Sequence, residues 1–206
     1  MRITEISELR EVIPKPSESV VEKKVSRLDE MAIDFIRRSP FAVISTANSK
    51  GQITASPKGD SPGFIEVVDE TTLMVPDRPG NGLADGHLNI LQNPSVGLIF
   101  FIPNVRESLR ISGTAELHHE EELLDKFGVR GRPAVLLTKV QIDEVFFHCG
   151  KALIRSELWS PESWNEPDRV SFGKAYALRQ GKHGLTGKAL AKVVDAAIER
   201  DYQKNL

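Results

Sequence analysis

Along one stretch of the chain, Leu109, Ile111, Gly113, Ala115 and Leu117 alternate with Ser108, Arg110, Ser112, Thr114 and Glu116. A period of two is the mark of a strand with one buried and one wet face. The same logic reads "FAVISTA" from Phe41 as a strand, "NSKG" as a turn and "QITASP" as the returning strand of a hairpin. "FIEVVDETTLMVP" holds a second hairpin, turning at Asp69–Glu70, and "SVGLIFFIP" and "AVLLTKVQIDEVFFHC" supply further strand. Helical spacing appears in four places. Ser19 and Glu22 have capping-box spacing, and Val21, Val25, Leu28, Ala32 and Phe35 then step by three and four up to the Pro40 stop. Leu83 to Leu91 and "HEEELLDKFG" predict short helices, and Leu190, Val193, Val194, Ala197 and Ile198 mark an amphipathic C-terminal helix. Closely spaced antiparallel strands with a few helices around them predict a mainly β fold, a β-barrel flanked by N- and C-terminal helices.

Two loops bring chemistry to this frame. "SPKGDSPGF" (Ser56 to Phe64) and "PDRPGNG" (Pro76 to Gly82) each follow a strand. Each joins a cation, Lys58 or Arg78, to a short hydrogen-bonding side chain, Ser56 or Asn81, and to glycines. A phosphate wants fixed cations, small donors and backbone that can approach closely. The alternative is that both are plain tight turns with solvated cations. Further along, Lys151 and Arg155 lie four apart with Trp159 one turn beyond, a set that suits a planar anion if helical and a packed barrel end or subunit contact otherwise. His118 and His119, followed by glutamates, read as a solvated patch rather than a metal site. Cys149, the single cysteine, reads as a buried small hydrophobe.

The 206 residues suffice for one sizeable domain, and 40 % apolar with 27 % charged residues is ordinary for a soluble protein. A net charge of −2 offers no global field for a nucleic-acid backbone. No apolar run approaches the ~20 residues that cross a bilayer, so no membrane association is expected. One cysteine excludes an internal disulfide and, with no secretory signal, fits the cytoplasm.

The succession "FAVISTANSKGQITASPKGD", "TTLMVPDRPGN", "NILQNPSVGLIFFIP" and "LRISGTAEL", with "HCGKALIRSELW" after it, resembles the pyridoxamine 5′-phosphate oxidase-like, FMN-binding split-barrel superfamily, in a branch of FMN-dependent enzymes of unknown substrate. The resemblance runs roughly from Ile33 to Trp164. It implies a six-stranded antiparallel split barrel over 41–159, with helical extensions over 1–40 and 160–206. It implies a homodimer with an FMN site at each subunit interface, acting on a small molecule. Ser56 and Lys58 would face the flavin, while Val75, Pro76, Asp77, Arg78 and Asn81 would hold the ribityl chain and phosphate. Lys151, Arg155 and Trp159 would close the site from the partner subunit. "DRPGN" stands where the oxidases carry a serine-arginine-lysine run, so FMN binding carries over better than oxidation of a vitamin B6 phosphate. The leading expectation is an FMN-dependent oxidoreductase. The alternative is a protein that holds flavin, deazaflavin or haem without turnover.

Overall fold

A computed structural model describes residues 2–80 and 82–205. The chain forms two compact units, Met1–Trp159 and Ser160–Leu206. In the first, strands β1 (Phe41–Ala47), β2 (Ile53–Gly59), β3 (Glu66–Asp69), β4 (Thr72–Asp77), β5 (Ser95–Phe101), β6 (Ser108–His118) and β7 (Leu136–His148) build one antiparallel sheet. Its order is β2-β1-β5-β6-β7-β4-β3, seven strands where six were expected. Helices α1 (Ile6–Val12), α2 (Glu18–Val21), α3 (Glu30–Arg38), α4 (Asp85–Gln92), α5 (Glu121–Lys126) and α6 (Lys151–Arg155) accompany it. The second unit holds α7 (Phe172–Arg179) and α8 (Gly184–Asn205).

Both predicted hairpins form, and β6 alternates as read: Leu109, Ile111 and Ala115 are buried while Arg110, Ser112 and Thr114 are exposed. A bulge sets the curvature of the central pair. Ser112 pairs with Glu144 but Gly113 pairs with Ile142, leaving Asp143 as the extra residue on β7. A side chain at Gly113 would collide with the Gln141 carbonyl, so only glycine lets the two backbones meet there. The inward faces of β1, β5, β6, β7 and β4 enclose one core that includes Ile44, Leu98, Phe100, Leu109, Val140, Leu73 and Val75.

Strand β4 is buried along its whole length. Leu73 and Val75 point into that core, while Met74 on its other face packs with Leu124, Phe127, Ala134 and Leu137 under α5. Asp77 falls in phase with Leu73 and Val75, which sends a carboxylate inward at the end of the sheet.

One predicted helix is broken. The pattern starting at Ser19 reads as a single helix to Phe35, yet α2 ends at Val21 and α3 starts at Glu30. Two local forces explain the break. The β4 ladder covers β7 only from Leu136 to Gln141, and Val25 occupies the open edge beyond it, exchanging two backbone hydrogen bonds with Val145 (3.1 and 2.7 Å). Asp29 then caps the new helix by accepting from the Ala32 N–H at 2.8 Å. Helix α3 buries Ala32, Phe35 and Ile36, and the Phe35 ring meets Phe147 edge-on at 5.5 Å. Cys149 also differs from expectation. Strand β7 ends at His148, and the thiol falls on the exposed turn that follows.

Because Phe35 joins α3 to the core, Phe35→Ala should lower unfolding stability by about 3–5 kcal/mol, against about 1 kcal/mol for Asp29→Ala. Urea titrations of the two variants check this. Equal losses would mean that α3 is held by its cap rather than by its buried face.

Candidate functional site

The inward Asp77 carboxylate is the centre of a buried cluster. Its Oδ1 accepts from the Lys58 ammonium of β2, and its Oδ2 lies 3.2 Å from His87 Nε2 of α4. All three side chains are only 12–13 % exposed. A carboxylate this far from water costs several kcal/mol unless paired; here one cation and one ring N–H meet its two oxygens. The pairing also has a topological consequence. β2 is one edge of the sheet and β4 is next to the opposite edge, so the sheet must curl enough to bring these two strands within side-chain reach.

Alternation on β2 turns Thr54, Ser56 and Lys58 toward this interior and leaves Ala55, Pro57 and Gly59 exposed. The loop expected from Ser56 is therefore strand as far as Gly59. Pro57 is tolerated because β2 is an edge strand. Helix α4 packs beside it: Asn89 donates to the hydroxyls of Thr46 (3.1 Å) and Thr54 (3.2 Å), which themselves lie 3.0 Å apart. That anchor fixes the rotation of α4 and so aims His87 at Asp77.

Arg78, one residue on, leaves the core. Its Nε donates to Asp60 at 2.9 Å and its Nη1 to the Phe127 carbonyl at 2.6 Å. It thus bridges the ends of β2 and α5 to its own loop rather than standing as a solvated cation. Between these groups runs a groove of about 330 Å³, lined by Ser56, Lys58, Asp60, Pro76, Asp77, Arg78 and Gly80 among others. That volume lies in the ~300–1,000 Å³ range of small-molecule pockets. Gly80 has φ +118° and open space where a Cβ would stand, so its backbone is bare toward a ligand.

The structure thus collects Ser56, Lys58, Pro76, Asp77 and Arg78 around one groove. Val75 is 1 % exposed, with its side chain in the core. Asn81 lies outside the described residues. Lys151 and Arg155 are exposed on α6, and the Trp159 indole donates to the Val105 carbonyl at 3.0 Å. None of these three lines the groove. They follow the far end of β7, roughly 40 Å of strand from Leu136, the residue that pairs with Asp77.

His87 escaped the sequence reading because a single histidine in a short helix carries no pattern. Asp77 in phase with Leu73 and Val75 was the available signal, since an inward carboxylate demands a partner. Away from the groove, His118 lies between Glu116 (3.0 Å) and Glu120 (3.3 Å) on an outer face. Among the described residues no group of three or more His, Cys, Asp or Glu is placed to hold a metal ion, and no helix is long and apolar enough to cross a membrane.

The sequence pattern of the pyridoxamine 5′-phosphate oxidase family matches residues 28–149, over half the chain, and the chain belongs to that family, within the FMN-binding split-barrel superfamily. Solved structures with a similar course include HupZ of Group A Streptococcus, at 19 % identity over 58 % of this chain and 93 % of that one, with a TM-score of 0.48. A protein of Clostridium acetobutylicum related to general stress protein 26, of the pyridoxinephosphate oxidase family, matches at 12 % identity, 59 % and 91 % coverage and a TM-score of 0.45. An F420 reductase matches at 15 % identity, 57 % and 98 % coverage and a TM-score of 0.43. No curated protein matches the chain.

Burial holds His87 below the ordinary histidine value of 6.5; Asp77 pulls it up and Lys58 pushes it further down. The folded protein thus keeps His87 neutral, with Nε2–H donating to Asp77. An unfolded chain takes up a proton below about pH 6.5 that the folded one refuses, so His87 makes stability fall as pH drops through that region. His118, raised mainly by its hydrogen bond to Glu116, acts in the opposite sense, its contribution fading as pH rises. Unfolding stability of the wild type should therefore fall more steeply between pH 7.5 and 5.5 than that of His87→Gln, in which the His118 contribution persists. Parallel urea midpoints would contradict a neutral, buried His87.

Proposed function

We propose that this chain is an FMN-dependent oxidoreductase acting on a small molecule, with a split barrel that dimerises and an FMN site at each subunit interface. The observation that carries the reading is the groove of Lys58, Arg78, Ser56 and Gly80, which lies within the segment matching the oxidase family. Arg78 and uncovered glycine backbone suit a phosphate monoester, and the Lys58 ammonium with the Ser56 hydroxyl suits the polar edge of a flavin ring. Both cations already touch carboxylates, Asp77 and Asp60, so they are fixed in position before any ligand arrives. Such preorganisation removes the ordering cost of two long side chains. The two acids also cancel the two cations in formal charge. A phosphate therefore needs further positive charge, and Lys151 and Arg155 of the partner subunit, with the Trp159 indole, are its source in this reading.

The roles divide by position. Arg78 and the Gly80 backbone bind phosphate. Ser56 and Lys58, deeper on β2, face the ring system, where Lys58 orients a hydrogen bond under the control of Asp77 and His87. Pro79 stiffens the loop. When bound, FMN supplies two-electron transfer; the protein holds it, selects what lies beside it and limits water.

Purified protein, incubated with FMN and passed through gel filtration, should retain the flavin absorption bands and lose them on reduction by NADH or NADPH under anaerobic conditions. A colourless protein after FMN incubation would overturn the reading. Arg78→Ala should weaken FMN by about 100-fold, the loss of more than one charge-assisted contact. Its urea midpoint should drop as well, because Asp60 and the Phe127 carbonyl lose their donor. A lower midpoint with unchanged flavin affinity would leave Arg78 a structural bracket and remove it from the site.

A further inference from the structure

The helical hairpin of the second unit contains its own cavity, about 420 Å³, between α7 and α8. Its walls are two facing stripes with helical spacing, Lys174, Ala177 and Leu178 from one helix and Gly187, Lys188 and Ala191 from the other. Gly173 brings the pair close at one end, since a Cβ there would strike the Ala191 backbone. The floor is apolar: Ala177 is 2 % exposed, while Leu178 is 53 % exposed at the side.

The ionised side chains that line this cavity are all cations. Lys174, Lys182, His183 and Lys188 surround it, all with exposed side chains. The sequence has no carboxylate from Arg169 to Val194. The hairpin's acids begin past that point and are engaged: Asp195, at one end of the cavity, accepts from the lining Ser171 and from Gly173, and Glu199 pairs with Arg169. No ion pair involves the three cavity lysines among the described residues. An unpaired cationic rim over an apolar trough is complementary to one kind of occupant, an anionic head on an apolar body.

We infer that the α7–α8 cavity binds a small amphipathic anion, a carboxylate or phosphate monoester carrying an apolar chain, at a site separate from the groove of Lys58 and Arg78. Lys182 and Lys188 hold the head group, Lys174 adds to the field, and Leu178 with Ala177 and Ala191 contacts the tail.

The test is calorimetric titration of the full chain with decanoate, decyl phosphate and decylammonium, each below its micelle concentration. Saturable one-site binding of the anions and none of decylammonium is expected. The stronger of the two anions identifies the head group. Lys174→Gln/Lys182→Gln/Lys188→Gln should weaken the anions by about tenfold or more, the sum of three exposed charge contacts, with circular dichroism and FMN retention unchanged. Leu178→Gln, which keeps every charge, should weaken them several-fold. The inference fails if no anion binds, if decylammonium binds equally, or if the triple variant binds as the wild type does. Association with anionic vesicles and with neither free anion also overturns it, since that marks a membrane-facing basic surface instead of a cavity.

Discussion

A single carboxylate pointing the wrong way organises the first unit. Asp77 follows Leu73 and Val75 in the strand alternation, so the backbone delivers its side chain to the interior. Water is scarce there, and an ionised carboxylate alone would cost more than most single residues contribute to stability. It is tolerated because Lys58 arrives from the opposite edge of the sheet and His87 from α4. Each of those deliveries constrains the fold. Lys58 can reach only if the seven-stranded sheet curls to bring β2 toward β4, and His87 only if α4 is locked in rotation by Asn89 on Thr46 and Thr54. Backbone ladders fix the neighbours of each strand, but this cluster ties together strands that no ladder connects.

The same cluster gives the groove its character. A solvated lysine samples many rotamers, whereas Lys58 is confined by Asp77, and Arg78 by Asp60 and the Phe127 carbonyl. Rigidity is obtained at the expense of net charge. The groove is a set of aimed donors rather than a strongly positive field, which favours a ligand that fits over any passing anion. Its occupant in our proposal, FMN, presents both a phosphate for Arg78 and a polar ring edge for Ser56 and Lys58.

Much of this was legible beforehand. The hairpins and β6 follow from period-two patterning, because one face of each is buried and the other is wet. Lys58 and Arg78 stood out as cations set among small residues, whereas Pro76 and Asp77 were expected only from the family resemblance. The failures share a cause: one-dimensional patterns do not say which partner an apolar residue meets. Val25 and Leu28 have helical spacing with Ala32, yet Val25 is apolar to cover the open edge of β7. Cys149 follows an apolar run but falls past the strand end. His87 carries no motif at all, and its role exists only because a strand far away in sequence turned Asp77 inward. The α7–α8 cavity likewise arises from two stripes that are unremarkable until the turn at Gly181–Gly184 sets them face to face.

The central claim is that the Lys58–Asp77 pair is a mutual dependence rather than two polar residues that happen to touch. A double-mutant cycle of Lys58→Met and Asp77→Asn, read by urea unfolding at pH 7.5, tests it most directly. Removing one member of a buried pair should cost about 3–5 kcal/mol, and the double variant should lose at least ~1 kcal/mol less than the sum of the two singles. Additivity within ~0.5 kcal/mol would contradict the account, and the curl of the sheet would then have to be explained by its apolar core alone.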